Sequence, residues 1–429
     1  MSILRRLLGR RERDLSGADL FDVQHAGTRA AWFGSTGKPS GAGEAVREFY
    51  LHSPEVQWRY PLGLLPIGQR RFVKWLLGKG RAQHGFSDAE VLAFLAASAA
   101  DLPRQIALTY AVNPDWQRRF PQLSAGGREL IEWLRAEFPK YRPLRKITTL
   151  PSLPFSTASD SAAGVNFLAH FCYPSGLQQA ALGYKTSLEA VGLRVSCRDV
   201  PSGVRTDLEV REPWLGREEF AITITNVAPA PHFETRYRRA GLAERDGVYR
   251  IAYWAWELES IPAEWAELAT TVDEIWAPTP FVAEAMRKSV GVPVHEMLPG
   301  LTIGPIATPR REDFGLAADD FVFLFMFDML STFERKNPLA VVRAFRRAFN
   351  TGEKAQLVIK ISRATAEPEK LAALEREAGG ANIIVVDELV PRAEAYGYIA
   401  LADCVISLHR SEGFGMLVAE AMLLGKPVI

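Results

Sequence analysis

From Gly164 to its end, the chain alternates between short apolar runs and helical patterns. This alternation constrains the fold more than any other feature. Strands joined by helix-length connections pair in parallel, because the chain must cross back before it can run the same way again. Strands buried on both faces read as continuous apolar runs. The first series of runs is 165–171, 193–197, 220–227, 249–256, 274–277 and 294–298. A helix over 177–191, closed by Gly192, follows the first run. Thr279 and Pro280 form an N-cap and N1 pair for a helix that stops at Gly291. Residues 301–311 read as a connector. The second series is 321–327, 356–361, 382–386 and 404–408. Its helices start at Asn337–Pro338, Glu367, Arg392 and Met416, the last stopped by Gly425 and Pro427. The prediction is an α/β chain with two doubly wound, Rossmann-like domains in series, at 164–300 and 312–429.

The preceding segment has a different texture. Residues 46–150 show helical apolar spacing, as in Val73, Trp75, Leu76 and Leu77, and in Leu130, Ile131, Leu134 and Phe138. Ser87 with Glu90 three residues on has the pattern of a capping box. Pro103, Pro114, Pro121 and Pro139 punctuate the stretch. It reads as an accessory helical domain whose tryptophans serve either a core or a partner groove. Residues 1–45 read as a basic tail and linker. Arg5, Arg6, Arg10, Arg11 and Arg13 among Ile3, Leu4, Leu7 and Leu8 suit either a solvated tail, the reading we favour, or peripheral contact with an anionic membrane. Residues 145–161 form a Pro/Ser/Thr connector.

Composition narrows the function. With 51 basic against 50 acidic residues, the chain has no global field to hold nucleic acid. Cys172, Cys197 and Cys404 lie far apart, which argues for a reducing compartment and against a zinc site. No apolar run approaches the ~20 residues of a bilayer span, and no signal peptide is visible. The expectation is a cytoplasmic protein, with peripheral contact at the inner membrane face as an option.

Chemistry concentrates where the run 404–408 meets the helix from Met416. Between them lies His409-Arg410-Ser411-Glu412-Gly413-Phe414-Gly415. At a strand-to-helix turn the first N–H groups are unpartnered and the dipole end is positive. The glycines let a ligand approach the backbone, which suits a phosphate or a sugar hydroxyl. Glu412 and Glu420 supply two acceptors there. Earlier, after the run 321–327, Asp328, Ser331, Arg335, Lys336, Asn337 and Pro338 put two cations at a helix start.

SEGFG followed by AEAM, with glutamates eight positions apart, resembles the donor-site motif of retaining GT-B glycosyltransferases (group 1, family 4-like). The pattern FDxxS…RKNP, and YxxWEL with Pro262 and Trp265 after it, resemble one subset of that family. The resemblance spans 164–429 and leaves the first 160 residues unexplained. It implies a hexosyltransferase moving a sugar from a nucleotide diphosphate sugar to a saccharide or lipid-linked saccharide, with retention, in cell-surface polysaccharide synthesis. Glu412 and Lys336, with Arg335, would be the catalytic set. Arg335 is offered as a substitute for the arginine that many relatives carry earlier in this loop. Glu420 would bind the donor ribose, and Gly413, Phe414, Gly415, Ser331 and His409 would line the donor site. Gly176, Trp256 and Glu257 would lie on the acceptor side, with His232 a lesser candidate. The loop at Trp256 lacks the histidine that many relatives place there. No Asp-x-Asp occurs, so no metal or cofactor is expected and the cations would stabilise the leaving group. In the family further elements follow, so the stop at Ile429 reads as a truncated second domain. Two other readings remain: a saccharide-binding scaffold with weak catalysis, and a nucleotide-sugar epimerase. A dinucleotide dehydrogenase does not fit, because Pro174-Ser175-Gly176-Leu177 lacks GxGxxG.

Overall fold

The computed structural model describes residues 41–152, 163–202, 209–228, 236–380 and 382–429. The basic segment 1–14 and His232 lie outside them. The chain divides into two compact bodies. The first comprises the described residues up to Trp254, with Pro262–Ala277 and Arg287–Gly300. The second comprises Ala255–Ile261, Pro278–Met286 and Leu301–Ile429.

In the first body, six parallel strands form one sheet in the order β2-β1-β3-β4-β5-β6. They are β1 (Gly164–Ala169), β2 (Arg194–Asp199), β3 (Ile222–Asn226), β4 (Tyr249–Tyr253), β5 (Glu274–Ala277) and β6 (Val294–Glu296). Strand β4 ends three residues before the sequence suggests. The Trp254 N–H turns to the Trp276 carbonyl, and the following residues leave this body.

The helices of 41–152 belong to the same body. Among them are α1 (Ala42–His52), α2 (Asp88–Ala100) and α3 (Leu102–Ala111). The Ser87–Glu90 capping box forms at the start of α2. Buried polar groups join helices to sheet. Arg198 on β2 is fully buried and donates to the carbonyls of Ala111, Leu215, Gly216, Ala240 and Gly241. Arg211, also fully buried, pairs with Asp199 at 3.0 Å and donates to the Leu51 and Ala240 carbonyls. Its own N–H donates to Glu48 on α1 at 3.0 Å. Buried carbonyls need partners, and guanidinium groups supply several at once. Helix α4 (Gly176–Ala190) follows β1, with Ser175 accepting from the Gln178 N–H as its N-cap.

In the second body, four parallel strands run in the order β10-β7-β8-β9. They are β7 (Phe321–Asp328), β8 (Ala355–Ser362), β9 (Ile383–Asp387) and β10 (Cys404–Val405). Successive residues of β7 point to opposite faces, and both faces are covered. Phe323, Phe325 and Phe327 pack with Val341, Val342 and Phe345. Val322 and Leu324 pack with Tyr398, Ile399 and Ala421. This is why the strand reads as an unbroken apolar run. Strand β10 is shorter than expected, although Ile406 and Ser407 still donate to the Leu324 and Ile429 carbonyls. Among the described residues, no single helix is long and apolar enough to cross a membrane.

Candidate functional site

The chain runs β7 to β8 to β9 in one direction, then returns to place β10 on the other side of β7. The carboxyl ends of β7 and β10 therefore flank a topological switch point, where open parallel sheets form a ligand crevice. Two loops emerge there. After β7 come α5 (Phe333–Lys336) and α6 (Pro338–Ala348), with Asn337 between them at φ 57°. Asparagine tolerates this left-handed conformation, and its Nδ2 donates to the Leu408 carbonyl at 3.0 Å. That bond ties the β7 loop to the β10 loop. The Arg410 N–H adds a second tie to the Arg335 carbonyl at 2.9 Å.

The two loops bring their charges together on one oxygen. Glu412 Oε1 receives Arg335 Nη1 at 3.1 Å and the Lys336 ammonium in a shorter contact. His409 Nδ1 lies 3.2 Å from the same oxygen and 3.1 Å from Ser407 Oγ. Among the described residues, Glu412 Oε2 has no hydrogen bond. The clamp thus fixes the carboxylate and leaves an acceptor for a ligand hydroxyl. Arg335 also donates to the Ser411 carbonyl at 3.1 Å and lies 3.4 Å from Glu257. Burial, then the neighbouring Lys336, push His409 down to about 4, so it is neutral at pH 7. Its Nε2 is buried without a partner.

The turn itself is held by close packing. A Cβ on Gly413 would lie 2.5 Å from the Trp256 carbonyl oxygen, so the 255–261 segment requires glycine there. Thr279 Oγ1 donates to the Gly413 carbonyl at 2.9 Å. Gly415 sits at φ 81° and starts α7 (Met416–Leu423) without a side-chain cap, leaving the first N–H groups for a ligand. Phe414 is half-buried beside them. Glu420 is 3% exposed and ion-paired to Arg392. In the sequence Arg392 marks only a helix start, and nothing in its local pattern signals this partner. Ser331 is held at the end of β7 by its N–H on the Asp328 carbonyl.

The structure therefore gathers Arg335, Lys336, His409, Glu412, Gly413 and Glu257 in the second body. Trp256 joins them through its backbone, while its indole N–H donates to the Ser260 carbonyl. Gly176 lies in the first body at the start of α4, where a Cβ would meet nothing within 4 Å. Elsewhere, His52, Cys172 and Asp199 bring potential ligand atoms within 4.8 Å of one another. Asp199 already accepts from the Phe171 and Cys172 N–H groups and from Arg211. Burial pushes the Cys172 thiol up and His52 down to about 4. The cluster is thus neutral groups around a satisfied carboxylate, which explains it as part of the polar seam.

Comparison with known proteins bears on the second body. Residues 310–429 match the family described as Glycosyl transferases group 1. No curated protein matches the chain. Similar solved structures include WaaG, a glycosyltransferase involved in lipopolysaccharide biosynthesis, at 12% identity and TM-score 0.36. That match covers 62% of this chain and 80% of WaaG. TarM, at 11% identity and TM-score 0.36, is matched over 48% of this chain and 40% of its own. The pneumococcal O-GlcNAc transferase GtfA, solved with UDP and GlcNAc, is 14% identical with TM-score 0.31, over 48% and 41%. The chain thus spans well under two thirds of the length of TarM and GtfA.

Proposed function

We propose that the protein is a GT-B glycosyltransferase that moves a hexose from a nucleotide diphosphate sugar to a saccharide hydroxyl with retention. One observation carries the proposal: Arg335 and Lys336 converge on Glu412 at the switch point of a sheet whose residues match a glycosyl transferase family. Two adjacent cations suit a diphosphate, and a clamped carboxylate with one free oxygen suits sugar hydroxyls. The donor diphosphate would compete with Glu412 and Glu257 for the guanidinium and ammonium protons. Glu420, oriented by Arg392, would accept from the ribose, and the amides of Gly413–Gly415 would orient sugar and phosphate.

In the step itself, the bond from the anomeric carbon to the phosphate oxygen breaks. The acceptor oxygen bonds to the same face of that carbon, and the acceptor proton passes to the departing phosphate oxygen. Lys336 and Arg335 stabilise the negative charge on the diphosphate, so no metal enters this account. The acceptor would be a saccharide, free or lipid-linked, in cell-surface polysaccharide synthesis, and the protein would work in the cytoplasm or at the inner membrane face. The test is release of nucleoside diphosphate from UDP-, GDP- and ADP-sugars in the presence of mixed saccharide acceptors. Release from one donor class that needs acceptor supports the reading; no release from any donor by the folded protein overturns it.

A further inference from the structure

Among the described residues, only two non-glycine residues have positive φ, and both sit at the carboxyl edge of the second sheet. Asn337 belongs to a residue type that accepts this conformation. Arg363, at φ 63° directly after β8, does not, and such strain persists where the surroundings demand it. What the conformation achieves is visible in its side chain. Arg363 Nη1 donates to Asp328 Oδ2 at 2.5 Å. Asp328 is the last residue of β7, and its other oxygen accepts from the Leu330 N–H at 2.9 Å. Its carbonyl accepts from the Ser331 N–H. Asp328 is thus the footing of the loop that carries Arg335 and Lys336, and Arg363 fixes that footing from the neighbouring strand. On the other side of Arg363, the Ala364 N–H donates to Asp387 at the end of β9. The edge also holds Lys360, 5% exposed, which donates to the Glu388 carbonyl.

We propose that Arg363 is a positioning residue for the anion-binding loop: held in the left-handed conformation, it anchors Asp328 and so sets where the loop presents Arg335 and Lys336 to the donor diphosphate. This rests on the donor-site reading above. The strained arginine trades stability for placement, and that trade separates it from a merely structural residue.

The experiment measures thermal unfolding, and titrates UDP, GDP and ADP calorimetrically, for wild type, Arg363→Gly, Arg363→Asn, Arg363→Lys and Asp328→Asn. Glycine and asparagine accept positive φ, and the strain they relieve offsets the lost pair with Asp328, so those two variants fold with a Tm within a few degrees of wild type. Their affinity for the diphosphate that wild type binds falls at least tenfold, about 1.4 kcal/mol. Lysine keeps the charge and recovers part of it, while Asp328→Asn loses affinity like the glycine variant. If wild type binds a diphosphate and Arg363→Gly binds it equally, the proposal falls and the donor-site reading stands. A lowered Tm in Arg363→Gly with unchanged affinity likewise makes the residue structural. If wild type binds none of the three, the donor-site reading fails and takes this inference with it.

Discussion

Gly413→Ala tests how the candidate site is held. The added methyl would sit 2.5 Å from the Trp256 carbonyl oxygen. Even close carbon–oxygen contacts lie at about 3.3–3.6 Å, so the two backbones must part by roughly 0.8 Å. The obstacle is backbone, and no side-chain rotation relieves it. The strain is confined further by Thr279 on the Gly413 carbonyl and by the pairing of Glu257 with Arg335. Overpacking of this kind costs about 1–3 kcal/mol. The larger effect is on turnover, because displacing a substrate-positioning loop by about 1 Å costs up to 100-fold. Gly352→Ala, in the turn before β8, is the control, since its methyl enters open space away from the candidate site residues. Urea unfolding followed by tryptophan fluorescence, with donor turnover in parallel, reads both quantities. Wild-type stability and turnover in Gly413→Ala would refute the packing argument.

Other expectations follow from single observations. His84 and His409 are both pushed down to about 4 from an unfolded value of 6.5, chiefly by burial. The unfolded chain binds these protons first, so the stability they contribute is complete above pH 6.5 and is lost as pH falls toward 4. The loss is at most about 3 kcal/mol per histidine, and His409→Gln should flatten the fall in a pH series of urea curves. Ser87→Ala removes the capping box of α2 and should cost about 1 kcal/mol in the same assay. Arg198→Leu takes one donor from five buried carbonyls; Ala111 and Gly241 keep Gln117 and Ala240 keeps Arg211, while Leu215 and Gly216 lose the Arg198 bond, and the expected outcome is a marked loss of stability, checked by expression and circular dichroism.

The sheets were legible in the sequence because strands buried on both faces leave unbroken apolar runs. Phe321–Asp328 is the clearest, with side chains sent alternately into two cores. Local chemistry was legible too: Ser87 with Glu90, and Thr279, whose Oγ1 accepts from the Val282 N–H, cap helices as their spacing suggests. What stayed hidden is long-range. Arg198 and Arg211 look like surface arginines in the sequence, because the carbonyls they satisfy, among them Leu51, Ala111, Leu215 and Ala240, are scattered along the chain. The end of β4 was misplaced because Trp254-Ala255-Trp256 is as apolar as a strand, yet its hydrogen bonds turn elsewhere. In the candidate site, Glu412, Lys336 and Arg335 announce themselves by type and position. Their convergence on one oxygen, the Glu420–Arg392 pair and the footing supplied by Arg363 depend on strand order, which no local pattern encodes.

The central claim is that Arg335 and Lys336 form the diphosphate site. The most direct measurement is the calorimetric affinity of wild type and Lys336→Ala for the nucleoside diphosphate the protein prefers, at matched salt. Glu412 keeps its pair with Arg335 when Lys336 is lost, so the carboxylate is not left unpartnered and the fold should stay intact. The account predicts affinity weakened at least tenfold in Lys336→Ala with an unchanged Tm. Equal affinity in the two proteins would contradict it.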